Sequence, residues 1–334
     1  MAAPIIYSWR DANAPSYFAT MASFNALIKA CLVDGYTGKA AAGWTIPFED
    51  GTSFIIKQAA SDANPTAPQM CLKFHTYHAT ATSPKVSFEM AEDYTDLNTP
   101  VNVVCGDITN DYMSRGEASN TTTYEIPWMI FATTRAVYFW FGYNTSHQGS
   151  APTEFDNEGT LTTQSTFHEF FGDIVHPYPT WLYNQMITYH NGTSYTSTNG
   201  ANSLTGNLNT GYGRKKIANP GANYVSPDDA YLNFLTKINF SMNYPGMTTL
   251  TDGVVKYPNQ IDGGLFLDKV RLTSTSSYLG ELPGLLYNLG SIAFNKNGII
   301  FSFDGTGDYL GETIYVLSGY SGQLFLRDGD WGVE

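Results

Sequence analysis

A chain of 334 residues with 43% hydrophobic side chains holds enough apolar material for a large core, which excludes a disordered polypeptide. Its net charge of −13 excludes a broad phosphate-gripping surface, because nucleic-acid binders draw most of their affinity from Lys and Arg. Charged residues reach only 14%, against about a quarter in a typical soluble domain, while aromatics reach 15%. Surfaces built for contact replace charge with Tyr, Trp and neutral polar groups, so the balance fits a protein covered by neighbours. It fits equally an all-β protein with faces rich in Thr, Ser and Asn.

The opening MAAPIIYSWRDANAP lacks a basic stretch and turns polar early, unlike a secretion signal. From Ser16 the pattern changes. Tyr17, Met21, Phe24, Ile28 and Cys31 recur at steps of four and three, widened by Phe18, Leu27 and Leu32, which predicts a helix over residues 16–33 with one buried face. Pro15 precedes the first turn, Ser16 is the expected cap, and Gly35 suits the left-handed stop.

Strands are predicted after the helix. Ser53 to Gln58, the alternation around Leu72, Phe74 and Thr76, and that around Val86, Phe88 and Met90 show the period of two of half-buried strands. Ile126 to Ala132 and Ala136 to Gly142, joined through Thr133, Thr134 and Arg135, form the clearest hairpin. The unbroken run Ala136 to Phe141 predicts burial on both faces, at the centre of the main sheet. Trp128 to Phe141, the longest apolar stretch, is too short and too interrupted to cross a bilayer. Residues 190–223 are rich in Gly, Asn, Ser and Thr, and read as a polar arm or surface excursion without a core. Further strands are expected at Lys237 to Met242, Gly264 to Leu272, Gly298 to Phe303, Glu312 to Ser318 and Gly322 to Arg327. The fold class is therefore mainly β, an antiparallel sheet or sandwich with one prominent N-terminal helix and long polar loops, forming one structural unit over 1–334.

Motifs for chemistry are incomplete. Cys31, Cys71 and Cys105 lie in or beside apolar runs and read as buried free thiols, which suits a reducing cytosol. Gly319-Tyr320-Ser321-Gly322 is one residue short of a nucleophile elbow and reads as a turn. His168-Glu169 lacks the second His of a zinc helix, and His75 and His78 point to opposite faces of a strand. Glu154, Asp156, Glu169 and Asp173 would be the carboxylates to examine for glycan hydrolysis, but surface solvation accounts for each without catalysis. Asp304, Thr306, Asp308 and Glu312 space oxygen ligands as some calcium loops do, while the glycines between them favour a plain hairpin turn. Asp328-Gly329-Asp330 reads as another turn. No cofactor motif is present, and the expectation is a protein without enzymatic activity.

Four stretches carry a resemblance. Ala14-Pro15, Ala30-Cys31-Leu32-Val33, Gly35-Tyr36 and Lys39-Ala40-Ala41-Ala42-Gly43-Trp44 follow one another in the order of the opening of a family of tailed-bacteriophage virion proteins. Trp128 to Phe141 resembles that family's Trp-containing strand, Arg turn and aromatic strand, Phe171-Gly172-Asp173 its Phe-Gly-Asp, and Leu282-Pro283-Gly284-Leu285 its Leu-Pro-Gly-Leu. The resemblance implies a place in a particle and no transferable catalytic site or cofactor. The expected protein is a virion structural component of the tail, neck or baseplate, made in the host cytoplasm, contacting other virion proteins and copies of itself. It has no direct grip on nucleic acid and no membrane insertion. A capsid decoration protein, or a glycan-binding or glycan-cleaving virion component touching the host envelope, is the alternative. Tyr212, Arg214, Lys215 and Lys216 are the expected assembly anchors, since Tyr and Arg give contact area and directed hydrogen bonds.

Overall fold

The computed structural model describes residues 3–18, 20–61, 69–78, 85–105, 111–114, 125–126, 128–141, 167–175, 185–191, 213–217, 231–233, 267–273, 278–288, 301–319 and 322–332. The fold is mainly β, with one N-terminal helix, as expected from the sequence. The larger sheet contains β1 (Ile5–Ser8), β2 (Thr45–Glu49), β3 (Phe54–Lys57), β4 (Cys71–His78), β5 (Lys85–Asp96), β6 (Thr99–Cys105), β7 (Asp111–Ser114), β8 (Trp128–Ala132), β9 (Ala136–Phe141), β10 (Phe167–Asp173), β11 (Gln185–Asn191) and β12 (Gly213–Ile217). Its order is β1-β8-β9-β10-β11-β7-β5-β4-β3-β2, with β12 on β11 and β6 on β5. The smaller sheet contains β13 (Tyr231–Asn233), β14 (Leu267–Thr273), β15 (Tyr278–Asn288), β16 (Phe301–Asp304), β17 (Thr313–Gly319) and β18 (Gly322–Arg327), in the order β13-β14-β15-β18-β17-β16. The pairings are antiparallel throughout.

Helix α1 spans Met21–Lys29 and continues as a π-helical turn over Ala30–Asp34. It begins at Thr20 rather than Ser16. The reason is that the backbone at 15–17 is already committed: Pro15 O accepts from Trp128 Nε1 at 3.2 Å and Tyr17 O from the Ile126 amide at 2.7 Å. Thr20 Oγ1 takes the capping role by accepting from Ser23 N at 3.2 Å. The far end stops as predicted, with Gly35 at a φ of 75°.

The larger sheet rolls around this helix. Phe24 lies 6.1 Å from Phe54 on β3, 5.1 Å from Phe74 on β4 and 6.2 Å from Phe141 on β9, measured between ring centroids. Strands β3 and β9 are six places apart in the order, a separation of about 29 Å in a flat sheet. One phenyl ring touches both only if the sheet curls back on itself. The Ala59 amide closes the gap by donating to Thr134 O at 3.1 Å.

Two cores result, sorted by the period of the β8–β9 hairpin, whose strands lie second and third from the β1 end of the ten-strand path rather than at its centre. Trp128, Ile130, Ala132, Val137, Phe139 and Phe141 face the helix and join the first core. Met129, Phe131, Ala136, Tyr138 and Trp140 face the smaller sheet, where they meet Val270, Leu282, Leu285, Leu326 and Trp331. The predicted burial of both faces is thus observed, and helix, rolled sheet and smaller sheet form three layers. Each ring so buried removes about 150–250 Å² from water, roughly 4–6 kcal/mol gross against an extended chain.

Other predictions fall in part on described residues. β14, β16, β17 and β18 match four of the five late strands; Lys237 to Met242 lies outside the described residues. Within 190–223, residues 213–217 are a strand rather than coil, because their backbone pairs with β11 from Met186↔Ile217 to His190↔Gly213. No local pattern announces this strand, as an isolated five-residue run is too short to show a period.

Candidate functional site: a buried junction of the sequence motifs

The residues that carry the resemblance come together in space. Tyr7 Oη donates to Ala40 O at 2.7 Å and Lys39 Nζ to Ile6 O at 2.7 Å, so the Lys-Ala turn clasps β1. The next residues serve the helix: the Ala42 and Trp44 amides donate to Cys31 O and Leu32 O at 3.2 and 3.0 Å, satisfying carbonyls that the helix end leaves open. Trp44 then drops its indole into the roll, donating Nε1 to Thr133 O at 2.7 Å and placing its ring 5.6 Å from Phe171.

At the turn of the β8–β9 hairpin, Arg135 is fully buried. Its Nε and Nη2 donate to the two carboxylate oxygens of Asp173 at 2.9 and 3.2 Å, and Nη1 donates to Ala59 O at 2.7 Å. Gln58, equally buried, donates Nε2 to Asp173 Oδ1 at 2.9 Å and to Arg135 O at 2.5 Å, and its Oε1 accepts from the Met70 amide at 2.9 Å. A forked, charge-assisted pair with its remaining groups hydrogen-bonded is the form in which a buried ion pair is tolerated. Gly172 makes the approach possible. A Cβ there would lie 2.3 Å from Arg135 O, and its φ is 137°.

The Leu-Pro-Gly-Leu stretch supplies the other wall. Lys269 pairs with Leu286 and Arg271 with Glu281, so four residues of β15 oppose Val270 alone. This bulge carries Pro283 O to Tyr138 Oη, which donates to it at 2.9 Å. Trp331 stands edge-on to Tyr138 at 5.3 Å and lies over Gly284, where an added Cβ would meet its Nε1 at 1.9 Å. The two sheets are stitched directly by reciprocal Val175–Glu281 backbone bonds of 2.9 and 2.8 Å.

This junction holds elements together; Arg135 has no solvent-exposed surface through which a substrate could reach it. Among the other sequence-predicted groups, Glu169 is buried on β10, Asp173 serves Arg135, and Glu154 and Asp156 lie outside the described residues. Asp304 to Glu312 form the predicted hairpin turn, with Gly305 N donating to Glu312 O at 2.7 Å, while the Glu312 carboxylate accepts from Arg327. Asp328 and Asp330 bind backbone amides in the second predicted turn. Among the described residues no group of three His, Cys, Asp or Glu converges as a metal site, and no helix is long and apolar enough to cross a membrane. Cys31 and Cys71 are buried free thiols, as predicted, and burial raises both above the ordinary thiol range. The side chain of Cys105 lies outside the described residues, as do those of His78 and His168. Ser321 and Tyr212 lie outside as well.

Arg214, Lys215 and Lys216 sit on β12, opposite Tyr189, Thr188 and Ile187. β12 pairs with β11 alone in the sheet path, and a run of cations on such a strand also discourages edge-to-edge pairing. A hollow of about 180 Å³ beside the Leu-Pro-Gly-Leu bulge is smaller than the usual ligand pocket of about 300 Å³ or more. Its Lys269 faces Glu281 at 3.0 Å and its Arg327 faces Glu312 at 3.0 Å, so it presents matched charges rather than a field. The sequence pattern does not single out Gln58, Lys73 or Asn98; the polar residue closing the apolar run Phe54 to Ile56 was the available signal for Gln58, and Lys73 and Asn98 had none. No protein-family model matches the chain, and no curated protein matches it.

Proposed function

We propose that this chain is a bacteriophage virion structural protein of the tail, neck or baseplate region, acting through contacts with other virion proteins and with copies of itself. The observation that supports this reading most is the convergence of the phage-like stretches. Residues 39–44, 128–141, 171–173 and 282–285 are distant in sequence yet meet at one buried junction. Motifs shared for catalysis would be expected to gather in an open cleft; these gather where helix, roll and smaller sheet are locked together. Such a resemblance is one of scaffold, which is what a particle component passes on. The low charge supports the same reading, because surfaces that stay covered do not need ionic groups for solubility. Arg214, Lys215 and Lys216 remain the proposed anchors.

The test is the composition of purified particles from a phage encoding this chain. The expected result is multiple copies per particle, with an affinity label imaged at the tail, neck or baseplate; label on the capsid surface would favour decoration instead. Replacing Arg214, Lys215 and Lys216 by serine should reduce incorporation while the isolated chain stays folded. Absence from particles, together with a monomer at high concentration, would sink the reading.

A further inference from the structure

The lysines on this fold are not alike. Lys29, Lys57 and Lys269 meet the carboxylates of Glu49, Asp93 and Glu281 at 2.9, 2.8 and 3.0 Å, with side chains 38%, 23% and 53% exposed. Lys73 is 5% exposed, and its Nζ donates at 3.2 Å to the side-chain amide oxygen of Asn98, a neutral partner. Burial of the Lys73 side chain disfavours its charged form, although Asn98 itself is exposed at the hairpin turn. Burial lowers the Lys73 pKa against the pull of Glu89, Asp50 and Asp96.

The placement requires the chain to double back. Ala91 is the last residue of β5 paired with β4, opposite Cys71, and Asn98 lies seven residues further on, about 23 Å away if extended. The β5–β6 hairpin instead bends over the outer face of the roll, with register shifts at Met90/Ala91 and Tyr94/Asp96. It covers a small cluster of Ile55, Cys71, Ala91 and Tyr94 and is pinned by Lys57–Asp93 and by Tyr94 Oη donating to Glu89 Oε1 at 2.8 Å. Asp96 fixes the turn by accepting from Asn98 N at 2.7 Å and Thr99 Oγ1 at 2.9 Å. Asn98 is therefore held, and Glu89 stands directly opposite Lys73 across the β4–β5 pair, oriented by Tyr94.

We infer that Lys73 and Asn98 form an intramolecular isopeptide bond that staples the β5–β6 hairpin onto the body. The reaction needs no oxidant or second substrate. The neutral Lys73 amine attacks the Asn98 side-chain carbonyl carbon, one bond beyond the oxygen it already contacts; the new C–N bond forms and the bond to Nδ2 breaks. Glu89 takes the proton lost by Nζ and returns it to Nδ2, which leaves as ammonia. Amine and amide are held in contact by the fold, which supplies the proximity that free side chains lack, and proton transfer through Glu89 assists departure of the amide nitrogen. The inference does not depend on the proposed place in a virion.

Intact-mass measurement of the full chain tests it. The expected mass lies below that of the sequence by one ammonia, and digestion releases a branched peptide joining the Lys73 and Asn98 segments. K73R and N98A each restore the sequence mass, and N98D gives the same link with loss of water. E89Q leaves most chains unlinked while the circular dichroism stays native, which separates a proton carrier from a packing residue. An unmodified wild-type mass overturns the inference, as does an ammonia deficit confined to the Asn98 peptide, where ring closure with the Thr99 nitrogen would account for it.

Discussion

Substituting Asp173 by Asn tests whether the junction is what holds the layers together. Among the described residues the carboxylate accepts from Arg135 Nε at 2.9 Å on Oδ2, and from Arg135 Nη2 at 3.2 Å and Gln58 Nε2 at 2.9 Å on Oδ1. Asparagine keeps the volume but offers one acceptor oxygen, so its NH₂ must face either Arg135 Nε or the Nη2–Gln58 pair. Either way a donor meets a donor, and the guanidinium keeps its charge in a site with no solvent exposure. A lost charge-assisted bond costs about 1.5–3 kcal/mol, and an uncompensated buried partner brings the total to about 3–5 kcal/mol. Urea unfolding should show that drop as a lower midpoint with an unchanged slope.

The double substitution R135M/D173L separates charge from shape. Replacing a buried pair by apolar residues of similar volume is often close to neutral, so most of the loss should return. The coupling energy from the four-variant cycle should reach about 2 kcal/mol or more. Singles costing under about 1 kcal/mol, or a double variant no better than the worse single, would refute the assignment of the junction as the structural keystone.

Gly284→Ala should destabilise by about 2–5 kcal/mol, since its Cβ would meet Trp331 Nε1 at 1.9 Å and its φ is 66°; thermal unfolding followed by near-ultraviolet circular dichroism reads it. Burial lowers His75 from 6.5 to about 4. The unfolded chain therefore binds a proton that the native one refuses, and this contribution is present above pH 6.5 and lost as pH falls towards 4. The shift corresponds to about 3 kcal/mol, reduced to about 1–2 for partial exposure, and His75→Gln should flatten the pH profile of stability across that window.

The β8–β9 hairpin was legible because an uninterrupted apolar run has one consequence in a sheet, that both faces must be covered, but its place near the β1 end of the path was not. The alternation of Trp128 to Phe141 even states which residues share a face. The helix was legible in its stripe and its Gly35 stop but not in its start, because bonds from the Ile126 amide and the Trp128 indole hold 15–17 outside it. Such long-range competition leaves no local pattern. Arg135 was visible as a charge in a hairpin turn, yet its partner was not, since Asp173 looks like any surface carboxylate until β10 is set beside β9. Lys73 was masked by its own alternation: between Leu72 and Phe74 it reads as the solvated face of a strand. Only the hairpin folding over that face buries it.

The two peculiarities of the composition come apart once the cores are known. Aromatic richness alone had pointed outward, to surfaces for contact. Trp44, Trp128, Trp140 and Trp331, with Tyr7, Tyr17 and Tyr138, are instead buried within the chain, and among the described residues the large hydrophobics left exposed are Val101, Val103 and Leu310. A sheet covered on both faces needs about twice the apolar side chains of a sheet with one wet face, so the aromatics are largely accounted for by the three-layer build. The shortage of charge does not follow from the layers, because ionic groups belong on the outside whatever their number; faces rich in Thr, Ser and Asn and surfaces covered by neighbours both fit it. The proposed covering by neighbours is therefore supported by the polar exterior rather than by the rings. Contacts of the proposed kind would rest on neutral side chains and strand edges, with Arg214, Lys215 and Lys216 of β12 as the charged exception.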